Sequence, residues 1–220
     1  MKVKLISYSK LAEGFEDEWQ SNPNLLDLIA YCARVSNPNN QYNTETSEKL
    51  IKYLIKNSHW SPLEMVSACM EIETTRDIAR QILRHRSFSF QEFSQRYADP
   101  TKDLHFEVRE ARLQDTKNRQ NSIETDDEDL NAEWHWRQNE LILLATRHYE
   151  WAIENGIAKE VARALLPEGL TMSRMYMNGT LRSWVHYIQL RSENGTQKEH
   201  MDIAKECAKV IHQIFPLSSI

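Results

Sequence analysis

Three arginines and a histidine sit inside a stretch that is otherwise rich in apolar and aromatic residues: Gln81-Ile82-Leu83-Arg84-His85-Arg86-Ser87-Phe88-Ser89-Phe90-Gln91-Glu92-Phe93-Ser94-Gln95-Arg96-Tyr97. A guanidinium does not lose its proton, so among Ile82, Leu83, Phe88, Phe90 and Phe93 it is costly unless an anion meets it. Arginine forks match phosphate oxygens in bidentate fashion. The stretch therefore reads as a pocket for a phosphorylated, planar ligand, and the fold has to present these cations to it.

The local pattern shows how they are presented. Thr74 or Thr75 can cap a helix that carries Asp77 in its first turn, where a carboxylate suits the helix dipole. Ile78, Ala79, Ile82 and Leu83 then form one apolar stripe, with Asp77, Arg80, Gln81 and Arg84 opposite. Continued helix would return Arg86 to the apolar stripe. Either the helix ends near His85, or Arg86 is buried against an anion; both put the run at a structural boundary.

Elsewhere, Lys2 to Tyr8 and Val66 to Ile72 alternate like strands, and Leu170 to Met177 is strand-like. Asn178-Gly179 is a turn pair, and Phe106 and Val108 suggest another short strand. Helical spacing covers Asn24 to Val35, Ser47 to Lys56, about Leu130 to Asn155 with Gly156 as its cap, Ile157 to Leu166 stopped by Pro167, Thr180 to Arg191 and Gln197 to Phe215. Gln114 to Asp129 is polar and acidic, a solvated loop or helix start. Helices outnumber strands, and no repeat interrupts them, so the expected class is α+β.

A chain of 220 residues fits one domain with a proper core. Its formal charge of -5 argues against a nucleic-acid polymer as partner, while the local clustering of arginine suggests a small anionic ligand. Nothing approaches the roughly 20 apolar residues of a membrane span, and the start has no secretory pattern, so the expected location is the cytoplasm. Cys32, Cys69 and Cys207 are too few and too scattered for a disulfide framework or a metal knuckle.

Arg84-His85-Arg86, seven further residues and Ser94 resemble the signature of the flavin-dependent thymidylate synthases, the ThyX family. His59-Trp60-Ser61-Pro62-Leu63-Glu64 resembles the family's His-x-Ser/Thr-Pro-x-Glu segment. Ala162-Arg163-Ala164-Leu165-Leu166-Pro167 is similar to its Ala-Arg-x-x-Leu-Pro block. Thr180 to Arg191 resembles its last block, with an Arg-x-x-x-His/Asn-x-x-x-x-Arg rhythm. Two departures are visible: Gln91 stands where Asn is common, and Gln95 where Gly is frequent. Asn178 lies two positions before the place of a family asparagine.

The resemblance implies one domain over residues 1–220, a small antiparallel sheet packed by long helices, with a polar and acidic insertion around 99–139. It implies reductive methylation of dUMP to dTMP, with methylenetetrahydrofolate as carbon donor and NADPH as reductant through FAD. It also implies a homotetramer with shared active sites. On the dUMP side it places Gln81, Ile82, Leu83, Arg84, Glu92 and Ser94, with Gln95, Arg96, Arg163 and Arg191. On the FAD side it places His59, Ser61, Arg84, His85 and Arg86, with Glu92, Thr180, Leu181, Arg182 and His186. Arg191 is the implied catalytic residue, stabilising negative charge at uracil nitrogen 3. No metal enters.

Three rivals are weaker on the residues themselves. Ser94 as a nucleophile lacks a Ser-His-Asp order or a nucleophile elbow, which favours Ser94 as a hydrogen-bond donor. A metal-dependent hydrolase built on His59, Glu64, His85 and His105 lacks helical His-x-x-x-His spacing. An RNA- or nucleotide-binding module that stacks bases on the phenylalanines lacks the matching strand pattern.

Overall fold

The computed structural model describes residues 1–216. Four antiparallel strands form the central sheet in the order β1-β2-β6-β3: β1 Lys2–Tyr8, β2 Ser67–Thr75, β6 Met172–Thr180 and β3 Ser89–Glu92. The two long strands, β2 and β6, pair along their whole length from Ser67↔Thr180 to Thr75↔Met172. Their side chains alternate between faces, as pleating requires. Ala68, Met70 and Ile72 of β2 and Met175 and Met177 of β6 enter the core. Glu71, Glu73, Arg174 and Tyr176 occupy the other face, where Arg174 pairs with Glu73 at 2.6 Å.

The apolar face is covered by α1 Leu25–Ala33, α2 Ser47–Lys56, α3 Arg76–Ile82, α7 Leu181–Arg191 and α8 Lys198–Ile214. Ile29, Ile51, Ile78, Ile82, Trp184 and Ile211 are all fully buried there, each stabilising the fold by roughly 1.5–3 kcal/mol through loss of water contact. The buried indole of Trp184 donates to the Ala68 carbonyl at 3.0 Å, so its one polar atom is satisfied. Asn24 and Asp27 form a reciprocal capping box that starts α1.

The remaining chain builds α4 Pro100–Asp103, the hairpin β4 Arg112–Gln114 with β5 Ser122–Glu124, the long α5 Glu128–Glu154 and α6 Lys159–Ala162. Asp127 caps α5, its carboxylate accepting from Leu130 N–H at 2.9 Å. Among the described residues no helix is long and apolar enough to cross a membrane.

Several sequence expectations need correction. Asn178-Gly179 is not a turn; both residues lie inside β6, because β2 and β3 pair with it on either side. Ile157 to Leu166 is not one helix. Ile157 N–H closes the end of α5 on the Ala152 carbonyl while Gly156, at φ 78°, bonds back to Ile153. Ile157 thus belongs to a helix-ending motif that only glycine adopts easily. After α6 the chain tightens to a 3-10 turn at Arg163–Leu165 and leaves it at Leu166, where Pro167 forces extended backbone. Phe106 makes a single bridge to Thr171 and Val108 joins no strand. Gln114 to Asp129 contains β5, because Asp115 accepts from Lys117 and Asn118 N–H and turns the chain back. The Thr75 hydroxyl does not cap α3; it donates to Asp77.

Candidate active site

The Arg-His-Arg run begins where α3 stops. Arg84 and His85 N–H bond to the Gln81 and Ile82 carbonyls at 3.3 and 3.0 Å in a last loose turn. Phe88 then plunges into the core, edge-on to Trp184 at 4.8 Å and directly over Gly179. Anchored at both ends, the run leaves Arg84 and Arg86 exposed and His85 half-buried. Of the two alternatives left open by the periodicity, the helix ends before Arg86.

Arg191, the last residue of α7, reaches this run. Its Nε–H donates to His85 Nε2 at 2.9 Å, so His85 must be neutral and carry its proton on Nδ1. Burial, and then the Arg191 charge, push the His85 pKa down to about 4. Behind it lies His200, fully buried in α8 and pushed down to about 3 by burial, Arg191 and His85 in that order. The His85 ring meets Tyr187 edge-on at 4.9 Å, and burial raises the Tyr187 phenol well above its ordinary value. Gln81 joins the same group through His200.

The pairing of charges sorts the arginines. Arg76, Arg80, Arg96, Arg109, Arg112, Arg174 and Arg182 each hold a carboxylate. Among the described residues Arg84, Arg86, Arg163 and Arg191 hold none, and neither do Arg34, Arg119 and Arg147. The first four are cations of the sequence motifs, and no carboxylate of the described residues neutralises them. Among the described residues no three His, Cys, Asp or Glu side chains cluster as a metal site.

A second group surrounds the start of α7. Arg182 bonds Glu64 at 2.5 Å, and the His186 ring stands edge-on to Trp60 at 4.3 Å. Burial and then Arg182 lower the His186 pKa. Ser61 and His59 are exposed on the same turn. Thr180 is spent as the cap of α7, accepting from Ser183 N–H at 3.3 Å. The side chains of Leu181 and Ile82 lie in the core and that of Leu83 packs against it, so these three offer a ligand backbone atoms above all.

A third group follows β3. The Glu92 carboxylate faces inward to Arg80 and to the Ser173 hydroxyl, the latter at 2.8 Å. Arg96 pairs with Glu160 at 3.2 Å, and Lys159 donates to the Tyr97 carbonyl at 2.9 Å. These contacts set Ser94 to Tyr97 beside the turn that carries Arg163, whose Nε–H donates to the Glu160 carbonyl. The Gln95 side chain is buried, its Nε2 without a partner. No hydrogen bond or ion pair among the described residues joins this group to the Arg84–Arg191 group.

Sequence reasoning missed His200, Gln197, Tyr187 and Trp60. The signal existed for the first: in α8, Glu199 and His200 share the buried stripe with Ile203, Ala204, Cys207 and Ile211. Polar residues on an apolar face mark a buried polar contact.

The fold is that of an α+β protein with unpaired motif arginines at the edge of its sheet. Residues 19–217 match the family described as thymidylate synthase complementing protein, and the chain belongs to that family, the flavin-dependent thymidylate synthases. It is 48% identical over 219 residues to a "Probable flavin-dependent thymidylate synthase" of Paramecium bursaria Chlorella virus 1, covering 98% of this chain and 96% of the relative. It is 46% identical over 216 residues to the flavin-dependent thymidylate synthase of Synechocystis sp., with the same two coverages. A UMP/dUMP methylase, PolB from Streptomyces cacaoi bound with 5-Br UMP, shares the fold with a TM-score of 0.81 at 23% identity, over 99% of this chain and 91% of that one.

Proposed function

We propose that this chain, as one catalytic domain over residues 1–220 with a polar insertion at 99–139, methylates dUMP to dTMP. The carbon comes from methylenetetrahydrofolate and the reducing equivalents from NADPH by way of FAD. The observation that carries the reading is the set of motif arginines, Arg84, Arg86, Arg163 and Arg191, left without carboxylate partners in a protein of net charge -5. A cation kept free at a half-buried edge is what phosphate recognition needs.

The residues fit a flavin dinucleotide. Arg84 and Arg86 are exposed and unpaired, as a pyrophosphate requires, and Trp60 with His186 offers apolar ring surface beside Ser61. When bound, the flavin supplies the reducing equivalents that turn a transferred one-carbon unit into a methyl group. The protein binds and orients. Arg163, with Ser94, holds the nucleotide phosphate, and Arg96 joins them by exchanging its Glu160 partner for the phosphate. Arg191 sets its terminal guanidinium nitrogens against the uracil and favours negative charge at nitrogen 3, which makes carbon 5 more nucleophilic. His85 serves this by accepting from Nε while staying neutral, so the guanidinium keeps its full charge for the ring.

Cys32 and Cys69 are half-buried with thiols raised by burial, and Cys207 is fully buried with its thiol raised further. None is poised as a thiolate to attack uracil carbon 6, which agrees with a route that dispenses with a cysteine nucleophile.

Two features support a homotetramer with composite sites, which we place in the cytoplasm. No hydrogen bond or ion pair among the described residues joins the Ser94–Arg163 group to the Arg84–Arg191 group, which leaves room for another copy to complete the site. The outer face of α5 also exposes Leu130, Trp134, Arg137, Leu141, Leu144, His148 and Trp151 in steps of four and three residues, the spacing of a helix-packing seam. The direct test is the purified protein's absorption. A flavin spectrum bleached by NADPH in the absence of oxygen supports the reading; a colourless protein that binds no added FAD overturns it.

A further inference from the structure

A row of buried and half-buried side chains runs from the hairpin to His200, beside the His85–Arg191 pair, and the direction of each hydrogen bond in it is fixed from the Glu199 end. Glu199 accepts from Arg112, and its other oxygen accepts from Gln197 Nε2 at 3.0 Å. An ionised carboxylate only accepts, so Gln197 must turn its oxygen the other way, to receive Gln81 Nε2 at 2.8 Å. Gln81 in turn presents its oxygen to His200 Nδ1 at 3.3 Å. His200 must therefore donate from Nδ1, and its Nε2 is a bare acceptor, fully buried and without a partner. That ring lies 6.2 Å from the His85 ring and perpendicular to it, and His85 is the acceptor that holds Arg191.

We propose that His200 is a positioning residue for Arg191: by fixing Gln81 and walling the His85 ring, it holds the Arg191 guanidinium in the orientation that serves the uracil. The inference rests on the reading of Arg191 given above. An uncharged imidazole suits this task better than the obvious alternatives. A carboxylate here would pair with Arg191 and cancel the charge the uracil needs. An aliphatic side chain would leave the half-buried Gln81 oxygen without this donor, which weakens the arrangement and frees the carboxamide to rotate.

The test compares three variants of the full-length enzyme. His200→Leu keeps volume and removes the donor; His200→Asn keeps an N–H near the Nδ1 position; His200→Gln moves it to the Nε2 position. Losing one buried hydrogen bond of about 1.4 kcal/mol corresponds to a tenfold change. Leu and Gln are therefore expected to lower kcat about tenfold with the dUMP KM within twofold, and Asn to stay within about threefold of wild type. Crystal structures should keep the Arg191–His85 contact at 2.9 Å in Asn and lose it in Leu or Gln. Equal kcat losses in Asn and Gln, or an undisturbed Arg191–His85 contact in both Leu and Gln, would overturn the proposal. If Leu does not fold, the Asn–Gln pair decides alone. A wild-type protein that makes no dTMP would sink the reading of Arg191, while the crystallographic comparison would still decide whether His200 holds its side chain.

Discussion

Gly179→Ala probes the packing beneath the Arg-His-Arg run. A Cβ built on Gly179 falls 2.4 Å from Phe88 Cδ1 and 2.6 Å from Cε1, against a carbon–carbon optimum of about 3.5–4.0 Å. The ring has to retreat by more than about 1 Å, yet it is only 8% exposed and faces Trp184 at 4.8 Å. Overpacking of this kind costs about 1–3 kcal/mol. The stiffer unfolded chain returns about 0.4–1 kcal/mol. The net loss of roughly 1–2 kcal/mol corresponds to a Tm lower by roughly 2–8 °C for a domain of this size. Calorimetry on Gly179→Ala, Phe88→Leu and the double variant measures it. The smaller ring site should make the double variant more stable than the two single losses added together. Additive losses, or a Gly179→Ala protein melting at or above wild type, would refute the argument.

Other consequences follow from the same geometry. Arg191→Ala should lower kcat by roughly ten- to a hundredfold, the worth of one charged hydrogen bond of about 1.5–3 kcal/mol. The dUMP KM should move little, and equal losses in both constants would reduce Arg191 to simple binding. His85 and His200 have folded pKa values near 4 and 3, below their ordinary 6.5. The unfolded chain therefore binds more protons in between, and the stability these imidazoles contribute is whole above pH 6.5 and lost as pH falls towards 4. Each imidazole that stays neutral costs about 2 kcal/mol between pH 7 and 5, less for the half-buried His85, so equal melting temperatures at the two pH values would contradict it. Leu144→Glu on the exposed seam of α5 should shift light-scattering mass to a smaller assembly; an unchanged mass would exclude that face as an interface.

Three of the sheet's four strands were legible because β1, β2 and β6 alternate and the helices carry apolar stripes; β3 was not, since its four residues sit inside the arginine-rich motif and gain their strand only by pairing with β6. The sequence misled where a residue's role depends on what lies across from it. Asn178-Gly179 looks like a turn locally, but glycine is there because Phe88 occupies the space of its side chain. The helix expected from Ile157 to Leu166 failed because Gly156 and Ile157 belong to the cap of α5, a contact between residues no periodicity reveals. In the site, Arg84, His85 and Arg191 were legible from type and spacing. His200 was legible only as a polar residue on the buried stripe of α8, and its purpose and that of Gln197 were not, since both lie in a hydrogen-bond row joining elements over a hundred residues apart, from Gln81 to Gln197.

Incubating the purified protein with dUMP, methylenetetrahydrofolate, NADPH and FAD, and separating the nucleotides by chromatography, tests most directly whether it makes dTMP by a flavin route. The wild-type protein is expected to form dTMP, dependent on the flavin, and Arg191→Ala to form it roughly ten- to a hundredfold more slowly. A flavin-loaded protein that leaves dUMP unchanged, or dTMP formed equally well by flavin-free protein, would contradict that expectation.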